Sequence, residues 1–503
     1  MILLGTQLFV ALGNFIAFYF IAHGMGARAV GLVGYALGIV GVFSFITDLG
    51  LRDAAAKLIG DGRDTPRRIG SFLALRAVLT VVLVVAVVGW VLLRPSANGE
   101  TPADHAVLSR IVLITLVGQV FITISDCAES VLTSLRLTAR QVVSAWAGLV
   151  DVPIRIVVGL RNLGAPALAG ANSIGSASSA ATSLWTLRDI EMARPTRASV
   201  VEYLRFVAPI TVAVTVGIVA KNMDSVILGW AKGAVEVGLL YGSIRILSYI
   251  DLISMSIMKV IYPDIALAGA AGDSAQIRHL MTQSYRQIGF VLVPLIMLLM
   301  VGSRDVIRLV LGPDFRAATS IFIVIAASTL VDGLSRVSGF ALVASGQRVT
   351  YSTAAILSSA TRTILGLLLI PSVLVGVPLA GLGALGAAFA ILISRTVLAV
   401  QYMYACRHMS GAEFLKPVAW QLGTAAAVGV AAATLRGSNQ SLVAGGIEAV
   451  AAGLSYVAIL AVAGQLSRAD LKRYQSLMRF GAVAGYVRSE LKTRRPAPAP
   501  PVE

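Results

Sequence analysis

From residue 3 to residue 464 the chain is cut into apolar runs of about 18–25 residues, and no other feature constrains its fold so tightly. They fall at roughly 3–22, 29–49, 69–93, 106–126, 141–160 and 165–186, then 205–228, 236–259, 285–303, 318–342, 350–370 and 379–403, and finally 418–435 and 443–464. A segment of that length and character crosses a bilayer, where only a helix can satisfy its backbone N–H and C=O groups internally. With 57% hydrophobic and 13% charged residues and a mean hydropathy of +0.84, the chain has too little polar surface to cover a soluble core. The reading is an all-α polytopic membrane protein of about fourteen transmembrane helices. Its N-terminus enters apolar sequence without a basic n-region or a small-residue cleavage site, so the first run is expected to be a retained helix.

One short stretch occurs twice. Gly26-Ala27-Arg28-Ala29-Val30-Gly31-Leu32 returns as Gly233-Ala234-Val235-Glu236-Val237-Gly238-Leu239, and Tyr35 and Tyr241 follow the two copies. Each copy joins two apolar runs, and the offset from Gly26 to Gly233 is 207 residues. With six runs per half, the repeats are parallel, which implies a pseudo-twofold axis along the membrane normal and a cavity between two six-helix lobes. The polar connection around 187–203, with Pro195, is the expected boundary. The chain is therefore divided into an N-terminal lobe at 1–190, a C-terminal lobe at 191–408, a terminal helix pair at 409–466 and a basic tail at 467–503.

The formal net charge of +16 raises a nucleic-acid reading, but the placement of the charges argues otherwise. Arg52, Lys57, Arg63, Arg67 and Arg68 follow the second run, and Arg136 and Arg140 follow the fourth. Arg188, Arg194 and Arg197 follow the sixth, Arg407 and Lys416 follow the twelfth, and more basic residues fill the tail. All of these fall on one side, which places that side and both termini in the cytoplasm, with the chain in the cytoplasmic membrane. Anionic lipid accounts for the basic tail, which ends in a Pro-Ala-rich stretch expected to be disordered. The opposite face is charge-poor apart from a cluster of Arg304, Arg308 and Arg316.

Few motifs suggest chemistry. Gly381-Leu382-Gly383-Ala384-Leu385-Gly386 spells G-x-G-x-x-G, but it opens an apolar run with no strand expected before it, so close helix packing is the better explanation. There is no P-loop, and His23, His105, His279 and His408 are scattered. Cys127 and Cys406 are too few for a disulfide framework and lie in no zinc spacing. No cofactor, metal site or catalytic residue is expected.

Charges inside the apolar runs are the informative residues, because a charge at mid-bilayer faces either a partner or a wet cavity. Asp151 and Arg155 are four residues apart, as are Asp332 and Arg336, and Lys221 and Asp224 are three apart, so each pair can meet on one helix face. Arg245, Arg362 and Arg395 have no such local partner. Either they form interhelical ion pairs with Asp151, Asp224, Asp332 or Glu448, or they line a cationic cavity for an anion. Phosphate is the anion that the guanidinium fork matches best.

The stretches Phe20-Ile21-Ala22 to Gly26, Ala29-Val30-Gly31-Leu32 and Asp48-Leu49-Gly50-Leu51 resemble the opening helices of Wzx-type polysaccharide flippases. Val237-Gly238-Leu239-Leu240-Tyr241, with Asp224 before it and Tyr262-Pro263 after it, resembles that family's seventh and eighth helices. Leu311-Gly312-Pro313-Asp314-Phe315 resembles its L-F-G-x-x-[FY] segment. The resemblance implies the multidrug/oligosaccharidyl-lipid/polysaccharide exporter superfamily. It further implies a non-enzymatic flippase that moves a polyprenyl-(pyro)phosphate-linked oligosaccharide by alternating access, for surface polysaccharide or glycoprotein glycan assembly. Arg155, Arg245, Arg362 and Arg395 would attract the phosphate, while Asp151 or Asp224 would couple turnover to an ion gradient. Lys221, Asp332 and Arg336 would serve in coupling or ion pairing. The expected partners are the lipid-linked glycan, membrane lipids and glycan-assembly proteins, with no nucleic acid. The alternatives are a cation-coupled drug or metabolite antiporter of the same superfamily and, in another class, a membrane-embedded glycosyltransferase or polymerase. Arginines disfavour a cationic drug, and no large extramembrane loop supports an enzyme.

Overall fold

The computed structural model describes residues 2–94, 102–135, 137–374, 376–410, 415–435 and 442–462. The basic tail, Arg136 and Arg436 lie outside the described residues. The chain is a multi-pass helical membrane protein with two pseudo-twofold-related lobes and a C-terminal helix pair. Ten helices among the described residues are long and apolar enough to cross a membrane.

The first of these, α1 (Ile2–Phe43), has a single non-helical residue, Gly26, at φ 71° and ψ 178°. Gly233, at φ 85° and ψ −179°, makes the same break between α9 (Arg197–Lys232) and α10 (Ala234–Ala270). Only glycine holds this geometry without strain, so the first glycine of each repeat is the joint between two helical limbs. A connecting loop expected at each copy is thus reduced to one residue.

The second glycine of the repeat has a different task. A Cβ on Gly31 would collide with the Ala234 carbonyl, and one on Gly238 would collide with the Ala27 carbonyl. The two copies therefore cross backbone to backbone, with Ala27 and Gly31 against Ala234 and Gly238. Small residues at a helix crossing permit this close approach. Phe315, fully buried, and Leu311 pack beside the crossing against Gly242.

The first half continues through α2 (Phe45–Asp48), α3 (Leu51–Gly60), α4 (Thr65–Leu93), α5 (Pro102–Ser134), α6 (Thr138–Ala147), α7 (Asp151–Leu160) and α8 (Ala165–Leu187). The basic loop expected after the second run is partly the amphipathic helix α3. It buries Leu51, Ala54, Ala55, Leu58 and Ile59 while exposing Arg52 and Lys57. Arg76, near a span end, is only 2% exposed, and its Nη1 donates to the Thr47 carbonyl. The carbonyls freed where α2 ends give that guanidinium a partner inside the bundle.

The second half continues with α11 (Ser274–Val301), α12 (Ser303–Val310), α13 (Ala318–Ala344), α14 (Arg348–Leu369) and α15 (Gly383–Ser410), followed by α16 (Leu415–Leu435) and α17 (Leu442–Val462). The start of α9 is seated on the first half. Tyr203 and Val207 share a core with Leu51, Ile69 and Phe72, Thr211 donates to the Leu49 carbonyl at 3.1 Å, and Arg68 bridges to Glu202 at 2.7 Å. A short hairpin, β1 (Val373–Leu374) with β2 (Val377–Pro378), precedes α15. A strand therefore does stand before the G-x-G-x-x-G, contrary to expectation. The glycine motif still does not cradle phosphate: the Glu236 carboxylate accepts from Ala384 N at 2.9 Å, filling the helix N-terminus with an anion of the protein's own.

Candidate functional site

The intramembrane charges assemble into two groups. The first spans both lobes. On α7, Arg155 Nη2 donates to Asp151 Oδ1 at 2.8 Å, as the four-residue spacing predicts, and also to Asn14 Oδ1 of α1 at 2.6 Å. Arg155 and Asp151 are both buried. Facing them from α10 is Arg245, whose guanidinium lies over the Tyr249 ring at 5.6 Å and within electrostatic reach of Asp151. Tyr249 in turn stands edge-on to Phe15 of α1, with ring centroids 5.5 Å apart. Arg245 and Asn14 each lie twelve residues from their joint glycine, so both sit about 18 Å along their helices, near mid-membrane.

The second group lies within the C-terminal lobe. Arg362 of α14 donates through Nε to Asp224 Oδ2 of α9 at 2.7 Å, with Nη2 at 2.5 Å from the same oxygen. The expected Lys221–Asp224 pair is thereby replaced. Asp224 is buried and takes the forked guanidinium of a neighbouring helix, while Lys221 is exposed and offers only its carbonyl to Arg362 Nη2 at 3.5 Å. Arg336 does bind Asp332, at 2.6 Å, and reaches Asp251 of α10 at 2.7 Å and Ser254 Oγ at 3.0 Å. Arg395 of α15 donates to Ser328 Oγ at 3.2 Å and stands 3.9 Å from Asp332. This group balances Arg336, Arg362 and Arg395 against Asp224, Asp251 and Asp332, and is electrically neutral as a set.

The four cations expected at the site are therefore not equivalent. Arg155 and Arg362 are pinned, and Arg395 has a long ion pair. For Arg245 no carboxylate comes within ion-pair distance among the described residues. With Arg155 neutralised by Asp151, Arg245 leaves the inter-lobe group one positive charge in excess. A partly buried cation of this kind is costly unless something anionic or strongly polar faces it. The arrangement can attract an anion near mid-membrane where the lobes meet.

Two partners were missing from the sequence reading. The link of Asp251 to Arg336 is interhelical, so spacing along one helix gives no sign of it. Asn14, which accepts from Arg155, is uncharged and so gives no charge signal in its apolar run. A signal for the pinned arginines was nevertheless present: the 207-residue offset that carries Gly26 to Gly233 carries Arg155 to Arg362. Each sits on the fifth helix of its lobe and holds the first. Arg245 has no counterpart, since the same offset lands on Gly38.

At the other end of the helices, Arg52 bridges α3 to Asp126 of α5 at 2.8 Å. The Asp48–Asp53 turn is thus a salt-bridged helix end inside one lobe.

Comparison with known proteins gives a consistent picture. A sequence model of the polysaccharide biosynthesis protein family matches residues 25–320, more than half of the chain. The "Probable low-salt glycan biosynthesis flippase Agl15" of Haloferax volcanii is 22% identical over 397 residues, covering 78% of this chain and 79% of that protein. Among solved structures, the lipid II flippase MurJ in an inward closed conformation aligns with a TM-score of 0.74 at 13% identity, over 92% of this chain and 99% of that one. An inward-facing multidrug resistance MATE family transporter of the MOP superfamily aligns at 0.64 and 13% identity, over 81% and 96%. A Pyrococcus furiosus MOP superfamily transporter, described as having a binding pocket of reverse polarity, aligns at 0.55 and 15% identity, over 82% and 94%. At these identities the structural likenesses establish the fold.

Proposed function

The chain belongs to the polysaccharide biosynthesis protein family, and from that premise we propose that it is a flippase for a polyprenyl-(pyro)phosphate-linked oligosaccharide. The observation that carries this reading is Arg245, a mid-membrane cation in excess at the meeting of the lobes. In this mechanism Arg245 takes the phosphate first, with Arg395 beside the neutral network as the next contact. Arg155 and Arg362 hold each lobe's fifth helix to its first, so the site keeps its shape as the lobes move. The glycan rides between the lobes and the prenyl chain stays in lipid.

The lobes are taken as 1–190 and 191–408, the helix pair as 409–466 and the tail as 467–503, with α9 strapping the lobes together. In this reading both termini lie in the cytoplasm and the protein in the cytoplasmic membrane, which the basic connections support. The Ala27/Gly31 and Ala234/Gly238 crossing then lies at the outer end, and alternating access requires it to part. Asp224 is the carboxylate best placed for ion coupling: Oδ2 holds Arg362 while Oδ1 is buried without a hydrogen-bond partner. The antiporter reading shares the fold, but an excess cation at the site repels cationic drugs. The protein acts by transport and makes no covalent change in its cargo.

The test is to delete the protein and quantify lipid-linked sugars in each leaflet. Cytoplasmic-leaflet accumulation, reversed by the wild-type chain, is expected; an unchanged distribution in the deletion strain rules the flippase out.

A further inference from the structure

The cluster of Arg304, Arg308 and Arg316 has no part in the inter-lobe site, and it lies on the face where charge is otherwise sparse. The structure places all three at a cavity of about 1430 Å³. One wall is apolar, formed by α11 through Ile296, Met297 and Met300 and by α16 through Leu422, Ala426 and Val430. Gly429, also in the lining, lets Met297 approach α16, and Met297, Ala425 and Tyr456 belong to the core that holds α16 and α17 on α11. The terminal helix pair thus supplies one side of a hydrocarbon slot.

The mouth is cationic. Arg304 and Arg308 are four residues apart on α12 and both are exposed, while Ser303 and Ile307 of the same helix are buried. Like charges at this spacing weaken a helix. None of the three arginines has a carboxylate within ion-pair distance among the described residues. Among the described lining residues Asp305 is the one acidic group, so those residues together carry an excess of two positive charges.

We propose that this cavity is a binding site for a lipid phosphate monoester or diphosphate. The phosphate sits on Arg304, Arg308 and Arg316, and the hydrocarbon chain lies between α11 and α16. The excess of two charges matches a phosphate monoester or diphosphate better than the single charge of a phosphodiester headgroup, and guanidinium forks suit such an oxygen-rich anion. This inference rests on the flippase reading. On that topology the site faces the outer leaflet, where a polyprenyl phosphate is left once the glycan has been passed on from the translocated lipid.

The test uses the purified full chain carrying Arg245→Gln, which removes the inter-lobe contact, with native mass spectrometry to count bound lipid. Polyprenyl monophosphate is titrated against phosphatidylglycerol, polyprenol and inorganic phosphate. Adding Arg304→Gln, Arg308→Gln and Arg316→Gln together is expected to weaken polyprenyl monophosphate binding about tenfold or more, a loss typical of removing charge-assisted bonds to phosphate. Ala426→Trp, which fills the slot and keeps the arginines, is expected to do the same. Unchanged binding in both variants overturns the proposal. So does equal binding of phosphatidylglycerol, which marks a general lipid-headgroup site, or full competition by inorganic phosphate, which shows that the slot is irrelevant. The two readings fail separately: binding without cytoplasmic-leaflet accumulation in the deletion strain defeats the flippase, and the converse defeats this site.

Discussion

Arg362 and Arg245 look alike in the sequence and differ in surroundings. Arg362 neutralises a carboxylate that is 3% exposed. Removing one partner of a buried pair strands the other, at a cost of about 3–5 kcal/mol. Arg362→Ala is therefore expected to lower both thermal stability and function, and Asp224→Asn in the same chain should restore much of the stability; a melting series in detergent checks both. Arg245→Gln has no bound carboxylate to strand. It should keep the wild-type melting temperature and expression while losing complementation, and a large drop in melting temperature would move Arg245 to the structural residues. The difference was only half legible beforehand. Pairs along one helix, Asp151–Arg155 and Asp332–Arg336, follow from spacing. Lys221–Asp224 did not, because a buried carboxylate takes the better-placed fork of a neighbouring helix, which spacing along one chain cannot rank.

The repeated G-A-x-x-V-G-L divides its work between two glycines, a turn-forming one at Gly26 and Gly233 and a packing one at Gly31 and Gly238. Its existence and its joining of helices were readable from the spelling. That the copies cross each other was not, because helix contacts depend on the symmetry axis passing between them. Gly31→Leu is expected to wedge the crossing apart. In a chain lacking Cys127 and Cys406, Tyr241→Cys beside the crossing should then label faster with an impermeant maleimide added from outside. Equal labelling with and without Gly31→Leu would mean that this contact does not hold the outer end closed. Helix α3 shows the opposite limit of sequence reading: its charges mark a basic connection, and its apolar face emerges only when core partners such as Phe72 and Tyr203 are in place.

Across the whole molecule, the lobes, their order and the terminal pair were visible in run length and repeat offset, since bilayer thickness imposes both. The seating of α9 on the first lobe was hidden, because it depends on Tyr203 and Val207 finding a core that includes Leu51, Ile69 and Phe72, more than a hundred positions away. Topology is checked with single cysteines in the chain lacking Cys127 and Cys406. Arg308→Cys is expected to react with impermeant maleimide from outside the cell, and Arg63→Cys only after permeabilisation; the reverse pattern inverts the orientation. The most direct test of the central claim reconstitutes the purified protein in vesicles with a fluorescent polyprenyl-diphosphate oligosaccharide and follows its exchange between leaflets. The wild-type chain should speed exchange well above protein-free vesicles, and Arg245→Gln, at the same protein content, should return it to that background. Exchange at the wild-type rate in Arg245→Gln, or no acceleration by the wild type, would contradict the account.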